Sequence, residues 1–179
     1  MRRIIALTAA AALALGMVGA TVANGDSNRN SFKTNLSGYQ EVPSISSTAT
    51  GSLKLTVNDA ATQISYTLTF SALQYGPAVQ AHIHLGQTGV SGGVVAFLCG
   101  GTKPACPATG GTVSGVIVAS DILALPAQGI PAGDLAAVLK AMRSGVTYAN
   151  IHSTGFPAGE IRGQIPGHGD NGGHGDDND

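Results

Sequence analysis

Apolar and polar residues alternate with a period of two over much of this chain. From Thr62 to Phe70, Ile64, Tyr66, Leu68 and Phe70 fall on one side, with Gln63, Ser65, Thr67 and Thr69 between them. Alternate side chains of a strand point to opposite faces, so this run predicts a half-buried strand. Thr48 to Val57 repeats the pattern with Leu53, Leu55 and Val57 on one face, and Asn58-Asp59 between the two runs is a turn signal. Two such runs around a turn predict a β-hairpin.

The same reading extends along the chain. Asn24 to Ser31 is polar and expected to fray, and Phe32 to Pro43 reads as an extended segment ending at a proline. Val79 to Leu85 predicts a strand with Ala81, Ile83 and Leu85 on one face and His82 and His84 on the other. Gly86 to Gly93 is a glycine-rich turn, and Gly86, Gly89, Gly92 and Gly93 read as turn formers with permissive φ angles. Gly93–Leu98 and Thr112–Ala119 are further strands, and Val146–His152 and Glu160–Ile165 form a last pair. Asp134–Met142 departs from the period of two: Leu135, Val138, Leu139 and Met142 recur at i, i+3, i+4 and i+7, the stripe of one helical face. Asp134 is placed to cap this helix and Gly145 to end it. Seven or eight short strands with one helix predict an all-β antiparallel sandwich or barrel.

Both ends differ from the middle. Arg2 and Arg3 precede an almost unbroken apolar run from Ile4 to Val18, and small residues follow, with cleavage expected after Ala20 or Ala23. Residues 1–23 therefore read as a secretory signal peptide, since the run is shorter than the ~20 residues of a membrane span. Residues 24–31 read as a flexible N-terminus, and 32–166 as one domain. Residues 167–179 (GHGDNGGHGDDND) contain no apolar side chain and read as a disordered, solvated tail. His168, His174, Asp170, Asp176, Asp177 and Asp179 within it can hold metal only loosely.

Composition narrows the function classes. Residues 24–166 carry seven Lys and Arg against six Asp and Glu. There is no Trp and no basic stripe, so nucleic acid is not an expected partner. The expected partner is instead an unidentified extracellular protein or surface component, met in the periplasm or outside the cell. The two cysteines, Cys99 and Cys106, bracket a Gly/Pro loop. In an oxidising compartment such a pair predicts a disulfide. Their spacing is not C-x-x-C, which argues against a redox or metal pair.

Four motifs, in order, carry a family resemblance: Leu36-Ser37-Gly38-Tyr39-Gln40-Glu41-Val42-Pro43, Thr50-Gly51, Ala81-His82-Ile83-His84 with its glycine turn, and Tyr148-Ala149-Asn150-Ile151-His152-Ser153 followed by Pro157-Ala158-Gly159-Glu160-Ile161-Arg162-Gly163-Gln164-Ile165. They resemble the CHRD domain, the module of chordin that also occurs in exported bacterial proteins. The resemblance covers about residues 32–166. Ala149 departs from it, where the family more often has a β-branched residue, which touches packing only. It implies an extracellular antiparallel Greek-key β-sandwich or barrel, immunoglobulin-like or superoxide-dismutase-like, and no established activity, so a non-catalytic binding or structural module is the expectation.

The histidines leave two readings open. His82 and His84, at i and i+2 of one strand, place their Cβ atoms ~6.5–7 Å apart on one face. With His152 from a neighbouring strand, and Glu160 as a fourth group, they suit zinc or copper. The alternative function is thus a metal-binding protein using His82, His84 and His152, with redox activity as one form of it. The His-Ile-His strand before a glycine loop is weakly similar to the copper-binding strand of copper/zinc superoxide dismutase, without its other ligands. In the second reading Glu160 bridges histidine and Arg162 in a buried polar network that holds the motifs together. Weaker constellations are Ser153 beside His152, without a G-x-S-x-G elbow, and a Glu41–Glu160 carboxylate pair. Asn35-Leu36-Ser37 is a glycosylation sequon. No phosphate-binding or dinucleotide fingerprint is present.

Overall fold

The computed structural model describes residues 29–168. The expected leader lies outside them, as do His174 and the aspartates of the tail. The strands are β1 Ser31–Ser37, β2 Thr50–Val57, β3 Gln63–Ser71, β4 Ala78–Leu85, β5 Gly93–Cys99, β6 Gly111–Val118, β7 Thr147–Ser153 and β8 Ile161–Ile165; Leu135–Arg143 is helix α1. All pairings are antiparallel, in one eight-stranded sheet of order β5-β4-β7-β8-β1-β2-β3-β6. The expected all-β antiparallel class forms as a single sheet that curls until β5 and β6 meet. Among the described residues, no helix is long and apolar enough to cross a membrane.

The β2–β3 hairpin follows from its alternation. Leu53, Leu55, Val57, Ile64, Tyr66, Leu68 and Phe70 are all buried, while Lys54, Thr56, Thr67 and Thr69 face out. Burying side chains of this size stabilises by roughly 1.5–3 kcal/mol each. Asn58 shapes the connection, its Oδ1 accepting from the amides of Thr62 (2.8 Å) and Gln63 (3.0 Å). The extended segment expected to run to Pro43 stops sooner: β1 ends at Ser37 and a 3-10 turn spans Gly38–Gln40.

Helix α1 buries Leu135, Val138, Leu139 and Met142 in the same core. Asp134 Oδ1 accepts from the Ala137 amide at 2.9 Å, one of the donors a helix start leaves unpaired.

The β5–β6 seam is closed by side chains and a covering segment. Tyr66 Oη of β3 donates to Leu98 O of β5 at 2.7 Å. Lys103 Nζ donates to Val116 O of β6 at 2.8 Å and pairs with Asp121 at 2.9 Å. The Leu123 amide donates to Val95 O of β5 at 3.0 Å. The Cys99–Cys106 disulfide anchors the loop leaving β5.

Candidate functional site

Strands β4, β7 and β8 lie side by side, and their register composes the site. His82 stands opposite Asn150, His84 opposite Tyr148, and Asn150 opposite Arg162. Alternation sends Ala81, Ile83, Ala149, Ile151, Ile161 and Ile165 into the core. His82, His84, Tyr148, Asn150, His152 and Arg162 therefore share the other face. The exterior of a barrel is ordinarily wet, yet each of these residues is at most 7% exposed.

Three loops roof this face, and the polar side chains hold two of them down. Arg162 Nη2 donates to Gln87 O (3.1 Å) and Val90 O (3.0 Å) of the β4–β5 loop. Gln164 Nε2 reaches Gly86 O in the same loop at 3.1 Å and Gly145 O at 2.9 Å. His84 Nδ1 bonds Gly92 O at 2.9 Å, and His152 Nδ1 bonds Pro157 O at 2.8 Å in the β7–β8 loop. Glu41 enters from the loop after β1 and is 7% exposed. Gly159 has φ +131°, and a Cβ there would collide with Glu41 Oε1 and come within 2.9 Å of Asn150 Nδ2. Of the four glycines read as turn formers, Gly89 alone has positive φ (+76°). Gly92 is needed for space, since a Cβ would collide with Leu85 O.

The imidazoles converge. His82 Nδ1 lies 3.1 Å from His152 Nε2. Asn150 Oδ1 lies 2.9 Å from His84 Nε2 and 3.0 Å from His152 Nε2. One ring nitrogen from each of the three histidines falls within 4.8 Å of the other two. A carbonyl accepts, so Gly92 O and Pro157 O fix the proton on Nδ1 of His84 and of His152. The neutral rings then turn bare Nε2 lone pairs inward. Burial lowers the pKa of all three; for His82 it combines with the charges His152 and His84 would carry and brings the value to about 3.

Beside them, the Arg162 guanidinium sits over the Tyr148 ring, and Tyr148 stacks on His84. Burial lowers the Arg162 pKa, against the opposing pull of Tyr148 and Glu41. Burial raises the Glu41 pKa, against the Val42 amide, Arg162 and Asn150. Glu41 Oε1 is buried without a hydrogen-bond partner.

The expected histidine–Glu160–Arg162 bridge is not what these side chains make. Glu160 is fully buried, and its Oε1 accepts from Ser47 Oγ (2.8 Å) and the Gln74 amide (2.9 Å). Its backbone amide donates to Ile151 O, so Glu160 enters β8 one residue before the strand proper, and its carboxylate joins the β1–β2 and β3–β4 loops. Arg162 turns to Tyr148 and the β4–β5 loop. Ser153 Oγ accepts from the Phe156 amide at 3.2 Å and shapes a turn.

Alternation from His152 places Tyr148 and Asn150 on its face, but neither residue type marks a site by itself. Ser47 and Gln74 gave no local signal, since they meet Glu160 across 113 and 86 residues.

A family model described as the CHRD domain matches residues 32–165. No curated protein and no solved structure matches.

Proposed function

The chain belongs to the CHRD domain family, and from that premise we propose that it is an exported, non-catalytic binding and structural module, working outside the cytoplasm through contact with a protein or surface component. The disulfide and the leader-like start support export. One observation carries the binding role. Two loops present apolar side chains to solvent: Tyr39 (71% exposed) and Val42 from the loop after β1, which its own backbone and side-chain bonds brace, and Val90 from the β4–β5 loop, which Arg162 and His84 hold. Between them runs a cleft lined by Pro43, Thr88, Gly89 and Arg162. Exposed aromatic and aliphatic side chains on rigidly held loops suit a recognition surface, because little ordering entropy is lost on binding.

The test is capture of partners from an extracellular fraction by the immobilised chain. A specific partner should be retained, lost with Tyr39→Ser/Val90→Ser, and kept with Tyr75→Ser/Val79→Ser, which alters other exposed apolar positions. Equal retention by both variants, or none by the unmodified chain, overturns the reading.

A further inference from the structure

We propose that His82, His84 and His152, with the carboxamide oxygen of Asn150, form a site for one divalent transition-metal ion of the zinc and copper class. The argument rests on the balance of donors and acceptors. Nδ1 of His84 and of His152 is committed to a backbone carbonyl. Both Nε2 atoms are then acceptors, and they face Asn150 Oδ1, a third acceptor, at 2.9 and 3.0 Å. The fourth atom, His82 Nδ1, brings at most one proton to the group, 3.1 Å from His152 Nε2. Lone pairs gathered in a buried space without matching protons repel one another, and a cation turns that repulsion into coordination.

The spacing of these atoms approaches what such an ion needs. Tetrahedral zinc with Zn–N near 2.0–2.1 Å sets its ligand atoms about 3.3 Å apart. The three close separations, 2.9, 3.0 and 3.1 Å, fall slightly short of that spacing, while the ring nitrogens lie within 4.8 Å of one another, wider than the about 4.2 Å that two such bonds can span, so the rings must draw in to seat the ion. Imidazole with an amide oxygen and no thiolate is a borderline donor set, which suits zinc and copper better than calcium or magnesium. The backbone carbonyls on Nδ1 orient the ligands, as the outer partners of metal-bound histidines ordinarily do.

A metal-free arrangement competes with this one. With the Asn150 amide turned over, its NH₂ would donate to both Nε2 atoms and its oxygen would face the Glu41 carboxyl. The two arrangements differ in what a carboxylate does at position 150. As a ligand oxygen, Asn150→Asp keeps the donor atom and adds charge; as an NH₂ donor, the same change removes both bonds.

Equilibrium dialysis of the full chain against Zn²⁺, and separately Cu²⁺, tests the site. One tightly held equivalent is expected in the unmodified chain, in the tail variant His168→Ala/His174→Ala, and in Asn150→Asp. His84→Ala and His152→Ala should each weaken it by at least ~100-fold, a ligand counting for more than the 10–100-fold of an outer partner. NMR of the histidine ring nitrogens in the unmodified chain needs no variant to fold: Zn²⁺ should shift the signals of His82, His84 and His152. Binding lost in the tail variant, binding lost in Asn150→Asp, or zinc shifts confined to His168 and His174 overturns the proposal.

Discussion

The Arg162 guanidinium carbon stands 3.3 Å from the centre of the Tyr148 ring, and that ring stacks on His84 at 4.6 Å with planes 6° apart. A cation, a phenol and an imidazole thus form one column across three strands. The phenol also reaches the β4–β5 loop, where its Oη accepts from the Gly92 amide at 3.1 Å. Tyr148→Phe keeps the column and loses that bond, at an expected cost of about 1 kcal/mol. Tyr148→Leu loses the ring itself and should cost about 3 kcal/mol, as large buried side chains and cation–π contacts do. Urea unfolding of both variants measures the difference, and equal losses would mean that the ring stack contributes nothing.

Glu160 gives a second prediction. Glu160→Ala removes the acceptor for Ser47 Oγ and for the Gln74 amide, and should destabilise by about 2–4 kcal/mol. Adding Ser47→Ala should then cost less than it does alone, because its bond to Glu160 is already gone and only that from the Ala49 amide remains. A double-mutant cycle should return a coupling of about 1–2 kcal/mol; additive losses would show that the two do not act together.

The metal-free chain should lose stability on mild acidification. Folding lowers the His82 pKa to about 3, so below the unfolded value near 6.5 the unfolded chain binds more protons than the folded one. The contribution is therefore present above pH 6.5 and is lost as pH falls toward 3. At pH 5 the His82 share is about 2 kcal/mol, from 1.36 kcal/mol per pH unit. His84 and His152, the titratable groups closest to His82, are lowered too and act in the same sense. Glu41, whose pKa is raised, acts in the opposite sense, and Arg162 stays charged throughout this range. Denaturant titrations at pH 7 and pH 5 in the presence of a chelator, with and without His82→Phe, check this. A slope unchanged by the substitution would assign the pH dependence elsewhere.

Reducing Cys99–Cys106 should cost about 2.5 kcal/mol, the loop-entropy value for the eight-residue loop it closes. Unfolding midpoints with and without reductant measure it, and Cys99→Ala/Cys106→Ala should show no response to reductant.

What the sequence made legible was whatever repeats locally. Leu53 through Phe70 alternate because one face of a hairpin is wet and the other dry, so register and core could be read from them directly. The stripe from Leu135 to Met142 was equally plain. The polar face was only half legible: His82 and His84 stood out as a pair, whereas Tyr148 and Asn150 look like ordinary strand residues until β7 is seen to lie between β4 and β8. Glu160 and Arg162 sit two apart, a spacing that suggests a shared network the fold does not make. Their partners come from loops far away in the chain, and burial of both strand faces under those loops leaves no periodic trace.

The β5–β6 seam has a consequence for how these molecules behave in a crowd. A strand at the margin of a sheet is an invitation to any passing extended segment. Here the chain answers that invitation itself: Lys103 holds a carbonyl of β6, while Leu123 and Tyr66 hold two carbonyls of β5. With its two marginal strands turned toward each other, the described part of the chain offers a second copy less open edge than a flat sheet of the same strands would.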